Sequence, residues 1–539
     1  MKRLLFSAII SLTAARMLAV PANPRPFVYT QPDGTRITLM LMGDEYAHSY
    51  VDEEGYAVNI NDKGFAVRQA ERAETLLKSR RKEAVAKRHR MTGNLKNAIR
   101  MAQGKDTHGL IILVNFDDLE FNNTKEEIHN LMNAEGYSRN GATGSAHDYF
   151  VAQSGGQFQP TFDVTGPVKL DMPYRYYGAN DAKGSDKNAD VMIFSAVQKA
   201  AAGGLVSLDD YDADGDGIVD MVYIIYAGLG EADGGDANTV WPHMWNLQAS
   251  QQFANQTIQG KRLGLYACSA EYRTDPTVAQ GKSFSGIGTF CHEYGHCLGL
   301  PDIYDVTYSG GYGMGSYDIM SGGSYLNNGN TPPSYSAFER YSVGWLTYDD
   351  ATVERDYVLS PLAESNHAVR LSSPTNPNEY FILENRQQEG WDAFLPARGL
   401  MITHIDYDED VWDRNAVNAD PNHQHVKMMA ADNSWTKSTQ SGDLYPGLLN
   451  NTSFTDSSKP SSTLWDGTPL CRPVTGIRMD GEEISFHVGI AATGISQTPT
   501  WNKPSQHNAI KFSIDGIPVG GGNKGIMIEN GMKRIGTRD

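Results

Sequence analysis

Residues His292-Glu293-Tyr294-Gly295-His296 set two histidines four positions apart, and only a helix turns that spacing into one shared face. Both imidazoles then project to the same side and suit two nitrogen ligands of a single zinc ion. Glu293 sits one step round the helix. In this pattern it is the base that takes a proton from a water whose pKa the metal lowers to about 7. The continuation constrains the fold further. Gly299 can take the left-handed geometry that ends a helix, and Pro301 forbids its extension. The chain must turn there, and it brings back Asp302, six residues after His296, as an oxygen donor for the same metal. Glu339, in the helix-like run Ser334 to Tyr341, is the rival third ligand, because a glutamate on a later helix completes the same donor set.

Metzincins place their third ligand at the Asp302 spacing, although it is usually histidine. Tyr317-Asp318-Ile319-Met320-Ser321-Gly322-Gly323 looks like their Met-turn, with Met320 as the apolar floor beneath the metal. The bland alternative is a buried amphipathic helix with incidental histidines. The glycine, the aspartate and the Met-bearing turn in sequence weigh against it.

A second acidic motif lies upstream. Asp212, Asp214 and Asp216 alternate, Gly217 supplies a turn and Asp220 follows. This is the opening of a calcium loop. It is not an EF-hand, since Tyr223 stands where the bidentate glutamate belongs and a strand-like run, Met221 to Tyr226, replaces the exit helix. The expectation is a structural Ca²⁺ on Asp212, Asp214, Asp216 and Asp220, against a solvated Asp/Gly turn.

At 539 residues the chain exceeds one compact domain, and its net charge of −18 argues against nucleic acid or an anionic membrane surface as partner. Lys2 and Arg3 before the apolar run Leu4 to Leu12, with small residues near Ala19 to Ala22, read as an export signal over residues 1–20. No run approaches the ~20 apolar residues of a spanning helix. The cysteines are Cys268, Cys291, Cys297 and Cys471. Cys291 and Cys297 face different sides of one helix and are expected to pack as small apolar residues, with no mutual bridge.

Along the chain the fold class reads as α+β and multidomain. Residues 21–105 form a pro-region, a small β unit followed by a basic helical run that trypsin-like proteases can reach. Residues 106–350 form a zincin-type α/β catalytic domain, beginning with the buried strand Gly109 to Phe116 and including a helix over Val191 to Ala201. Residues 351–490 are mostly antiparallel β and belong to the same catalytic unit. There His404, Asp406, His423 and His425 are ligand-capable and read as structural. Residues 491–539 are a polar linker and a tail with two β runs.

From His108 to Val488 the chain resembles the immune inhibitor A family of secreted zinc metallopeptidases. The resemblance rests on His292-Glu293-x-x-His296-x-x-Gly299-x-Pro301-Asp302, on Asp212-x-Asp214-x-Asp216-Gly217, on Trp241-Pro242-His243, and on Glu384-Asn385-Arg386-Gln387 with Gly399-Leu400-Met401. It implies zinc on His292 and His296, catalysis by Glu293, an inactive precursor, calcium stabilisation and protein or peptide substrates. The tail resembles a type IX secretion sorting segment, which implies export machinery as a partner. The function expected is that of an exported monomeric zinc endopeptidase. A surface adhesin on a degenerate peptidase scaffold is the alternative, and the intact Glu293 speaks against it. A zinc hydrolase of another substrate has the same spacing. Latency is expected from the pro-region lying over the cleft, with a carboxylate such as Asp33 or Asp44 reaching the metal.

Overall fold

Strand alternation builds the first part of the chain. The computed structural model describes residues 20–23, 25–61, 63–86, 107–181 and 184–490 (81–86 as backbone only), with short backbone stretches at 511–513, 518–519, 525–529 and 532–536. Strands β1 (Phe27–Thr30), β2 (Arg36–Asp44), β3 (Ala47–Val51), β4 (Tyr56–Ile60) and β5 (Ala66–Arg72) pair in sequence order as an antiparallel meander. The β1–β2 turn needs Gly34 at φ +84°, and Asp33 Oδ1 accepts the Thr35 N–H there. A helix over Ala73–Ala86 follows. The rest of the basic run, like residues 1–19 of the expected export signal, lies outside the described residues.

The middle of the chain is built on a mixed sheet. β6 (His108–Asn115), β7 (Thr161–Lys169), β8 (Ile218–Leu229) and β10 (Arg262–Thr274) run parallel in the order β10-β8-β6-β7. β9 (His243–Asn246) and β11 (Lys282–Phe284) add to β10 antiparallel. Parallel neighbours require crossovers, and helices such as Ala189–Ala202 supply them. With both faces covered, the strands read as near-continuous apolar runs. Leu110, Ile112, Val222, Ile224 and Tyr266 pack on the Ala189–Ala202 side. Ile111, Leu113, Tyr223, Ile225 and Leu265 face the opposite core.

That opposite core contains the helix Gly288–Cys297, which carries the histidine motif, through Phe290, Cys291, Tyr294 and Cys297. Its far wall is a second sheet, β12 (Asp349–Asp350), β14 (Val369–Ser372), β15 (Glu379–Arg386), β16 (Gly399–Asp406) and β17 (Val426–Met428). Period 2 decides the allocation. Tyr380, Ile382, Met401 and Ile405 join the helix core, while Phe381, Leu383, Leu400 and Ile402 face a third core shared with β13 (Arg355–Leu359), β18 (Val474–Asp480) and β19 (Glu483–Val488). The β-rich part and the helix therefore share one apolar interior. A compact unit runs to Ala491 and a second begins at Ala492. In the second unit, backbone strands at 511–513, 518–519, 525–529 and 532–536 pair antiparallel. The protein is thus α+β, with antiparallel pairing prominent.

All four cysteines are free and buried, and no described helix is long and apolar enough to cross a membrane. Ile382, on β15, is fully buried in the core that holds the motif helix. Ile382→Ala should lower the unfolding free energy by about 2–5 kcal/mol in urea titrations, through lost apolar transfer and a cavity the sheet cannot close.

Candidate functional site

The motif helix is short and wholly buried, and glycines decide how closely it packs. A Cβ on Gly288 would stand 1.9 Å from Ser324 O, and one on Gly295 would stand 2.8 Å from Tyr335 Oη and 2.9 Å from Met320 Sδ. Met320 therefore lies directly against the helix at the position between the two histidines, as the Met-turn reading expects. The helix ends where Gly299 takes φ +92°, with the Gly299 N–H on His296 O and the Leu300 N–H on Gly295 O.

Each histidine ring is fixed from behind. His292 Nδ1 lies 2.8 Å from Ile319 O and His296 Nδ1 lies 2.7 Å from Leu300 O. A carbonyl only accepts, so each Nδ1 carries the hydrogen and each lone pair is on Nε2. The two Nε2 atoms are 3.1 Å apart, and Asp302 Oδ1 is 3.3 Å from both. All three side chains are buried. Two facing lone pairs and a carboxylate oxygen have no favourable arrangement without a cation among them. Asp302 Oδ1 and Glu293 Oε2 also have no hydrogen-bond partner. The donor set fits a divalent metal of zinc's character, with backbone carbonyls orienting both rings.

Electrostatics agree. Burial on its own raises the Asp302 carboxyl, but His296 and His292 outweigh it and hold the pKa well below the usual carboxylate range. Burial pushes His292 down, toward the neutral form that binds metal. Glu293 is pushed well above the ordinary range, first by burial and further by the Asp302 charge, against the opposing Val20 N–H.

Asp302 is held by a residue that the sequence did not single out. Asn415 accepts the Asp302 N–H through Oδ1 at 2.6 Å and donates through Nδ2 to Asp302 Oδ2 at 2.5 Å, across 113 residues of chain. Asn418 adds a bond to Ile303 O at 2.7 Å. No spacing rule connects an asparagine in a β-rich loop to a helix so far upstream. The only local signal is that Asn415 adopts φ +49°, which asparagine tolerates better than most residues.

Glu339 does not join the histidines. Its Oε2 accepts from Ser336 N–H and Oγ in the capping box of its own helix, Ala337–Ser342. Asp212, Asp214 and Asp216 do cluster, each offering an oxygen within 4.8 Å of the others. Asp220 stands apart from that group, and its Oδ2 accepts the Ala213 N–H. Asp212 Oδ2 also holds the Lys261 ammonium at 2.7 Å, a cation already in contact with the loop. Trp241, Arg386 and Glu384, read from the other motifs, build the frame. Arg386 is buried between Asp392 and Glu384, and Glu384 accepts the Ala337 N–H.

The N-terminal segment reaches the site through its main chain. Val20, fully buried, donates its N–H to Glu293 Oε1 at 2.8 Å. Trp241 Nε1 donates to Val20 O at 3.2 Å and Tyr325 Oη to Pro21 O at 2.6 Å. Ala22 N–H bonds Gly43 O and Asn23 N–H bonds Ala232 O. Neither expected carboxylate makes this contact. Asp33 is out in its turn, and Asp44 is buried with its oxygens on Tyr46 N–H and Tyr304 Oη.

Residues 96–346 match the family model described as Immune inhibitor A peptidase M6, catalytic domain. Over 302 residues the chain is 27% identical to a protein of Vibrio cholerae serotype O1 (strain M66-2) named Pre-pro-metalloprotease PrtV, covering 48% of this chain and 32% of that one. Over 214 residues it is 33% identical to Immune inhibitor A of Bacillus thuringiensis subsp. alesti, covering 35% of this chain and 30% of that one. The chain thus spans about a third of the length of these relatives.

Asn415→Ala strips Asp302 of both its bonds. The variant should lose about 1–3 kcal/mol of unfolding free energy, the cost of stranding buried polar groups, measured by urea denaturation against the wild type.

Proposed function

We propose that this chain is an exported zinc endopeptidase made as a latent precursor, with zinc on His292, His296 and Asp302 and Glu293 as general base. The observation that carries the reading is the convergence of two oriented imidazole lone pairs and one carboxylate oxygen beside a buried glutamate. Bound there, zinc supplies a Lewis acid that polarises the scissile carbonyl and makes water acidic near neutral pH. Glu293 takes the proton from the attacking water and delivers it to the departing amide nitrogen. His292 and His296, fixed through Nδ1, cannot swing away during the reaction. Met320 and Tyr335 close the far side of the helix to water.

Peptide substrates are favoured over other hydrolysable bonds by what already lies in the site. Trp241 and Tyr325 bind consecutive carbonyls of a peptide main chain next to Glu293. A glycan offers no such row of carbonyls. Latency has a direct source in the same contact, since Val20 N–H engages the base from a segment that precedes the catalytic part. Export through residues 1–19, one fewer than the sequence expectation so that Val20 stays with the precursor and can engage Glu293, a sorting role for the tail and a monomeric state belong to this reading.

Four outcomes test it. Glu293→Ala should retain one zinc and lose turnover of a casein or peptide-library substrate by at least about a thousandfold, because proton transfer goes while the metal stays. Full turnover in that variant removes the mechanism. Asp302→Ala should weaken zinc binding by ten- to a hundredfold or more, and Glu339→Ala should leave it unchanged; the reverse result moves the third ligand to Glu339. Val20→Pro, which has no N–H, should raise the turnover of the full-length chain severalfold, while both forms reach one rate after limited trypsin digestion. Equal latency in the two full-length forms would show that the Val20 contact is idle.

The acidic loop is proposed as a structural Ca²⁺ site on Asp212, Asp214 and Asp216, with Lys261 as the competing cation. Calcium should raise the melting temperature of the wild type by linkage, and Asp214→Ala should abolish the rise. A wild type that melts at the same temperature with and without calcium assigns the loop to Lys261 alone.

A further inference from the structure

Between β16 and β17 the chain leaves its sheet for residues 407–425, and this excursion carries Asn415 and Asn418, which hold Asp302 and Ile303 in place. Its neck is closed by Asp406, the last residue of β16, and by His423 and His425 just before β17. The Asp406 N–H donates to His425 O at 2.9 Å, so these two are cross-strand neighbours. His423, two residues earlier, reaches the same carboxylate, with Nε2 at 2.7 Å from Asp406 Oδ2. His425 Nδ1 is 3.9 Å from that oxygen and 2.6 Å from Asp406 O. The two rings stack with centroids 4.8 Å apart. One ligand atom from each of the three residues lies within 4.8 Å of the others, and all three are half-buried.

We infer that Asp406, His423 and His425 bind a second zinc ion, structural in role, which clasps the neck of the loop that positions Asp302. Two imidazoles and one carboxylate are the borderline donors that select zinc over calcium or magnesium. Histidines spaced i, i+2 before one strand, opposite a carboxylate on its partner, share a face without any change of backbone. The rings are also held in place. Trp465 stacks on His423 at 4.6 Å, His404 lies behind that indole at 5.6 Å, and Trp412 meets His425 edge-on at 5.9 Å. A clip contributes most where it closes a long excursion of chain. Binding exchanges at most two hydrogen bonds, His423 to the Asp406 carboxylate and His425 to its carbonyl. Hydrogen bonding alone is the competing account of the cluster, and the two accounts differ in metal content.

The test uses the full-length chain with Zn²⁺ as the probe. His292→Ala/His296→Ala protein, stripped with chelator and dialysed against Zn²⁺, should hold one zinc per chain, and a Zn²⁺ titration should change its Trp fluorescence through Trp465. Adding His423→Gln/His425→Gln should remove both the zinc and the fluorescence change. Asp406→Asn, which keeps shape and hydrogen bonding, should weaken that zinc at least tenfold while the metal-free near-UV circular dichroism matches the parent, so a folding defect is not mistaken for lost binding. In the wild-type background the glutamine pair should reduce zinc from two per chain to one. No zinc in the His292→Ala/His296→Ala chain, or zinc retained after His423→Gln/His425→Gln, overturns the inference.

Discussion

Two hydrogen bonds behind the histidines govern this protein. Ile319 O and Leu300 O accept from His292 Nδ1 and His296 Nδ1, and that alone decides that the lone pairs of Nε2 face each other and Asp302. Both carbonyls belong to turns, one leading into Met320 and the other closing the helix at Gly299. The turns are stitched together, since the Ile303 N–H bonds Met320 O. Had either carbonyl pointed elsewhere, the ring would be free to present the wrong nitrogen. The tight packing at Gly288 and Gly295 is therefore part of the chemistry, because it is what lets these turns approach the helix.

The same constraint explains why so much of the chain is wrapped around ten helical residues. A buried triad of ionisable groups is costly unless each member is held and paired. The mixed sheet supplies one apolar wall through Tyr223, Ile225 and Leu265, and the second sheet supplies the other through Tyr380, Ile382 and Met401. The β-rich part also sends back Asn415, which satisfies the Asp302 backbone and carboxylate together. Cutting the chain after the Met-bearing turn would leave the motif complete and Asp302 unsupported.

Beside Glu293 the N-terminal segment makes its hydrogen bonds through its backbone, while Val20 and Ala22 pack against Trp241. Val20 N–H, Val20 O and Pro21 O are the atoms engaged by Glu293, Trp241 and Tyr325. Hydrogen bonds to main-chain groups do not depend on which side chains the segment carries. The segment is anchored on its outer side by the Ala22 bond to Gly43 and by Tyr308 Oη on Gly43 O.

Several features were legible because they are local. The i, i+4 histidines, the Gly299 stop and the return of Asp302 follow from helix geometry and from the conformations open to glycine and proline, and the α+β class follows from runs of period 2 between helical segments. Residue types alone could not choose between Asp302 and Glu339, since both are competent oxygen donors. The tertiary structure brings Asp302 Oδ1 to 3.3 Å from both Nε2 atoms, while Glu339 caps its own helix. Asn415, the Val20 contact to Glu293 and the closure of the neck were not legible, although Asp406, His423 and His425 could be read as ligand-capable. Each joins atoms whose separation along the chain carries no periodic signal, and only the shared core between the two sheets brings them within bonding distance.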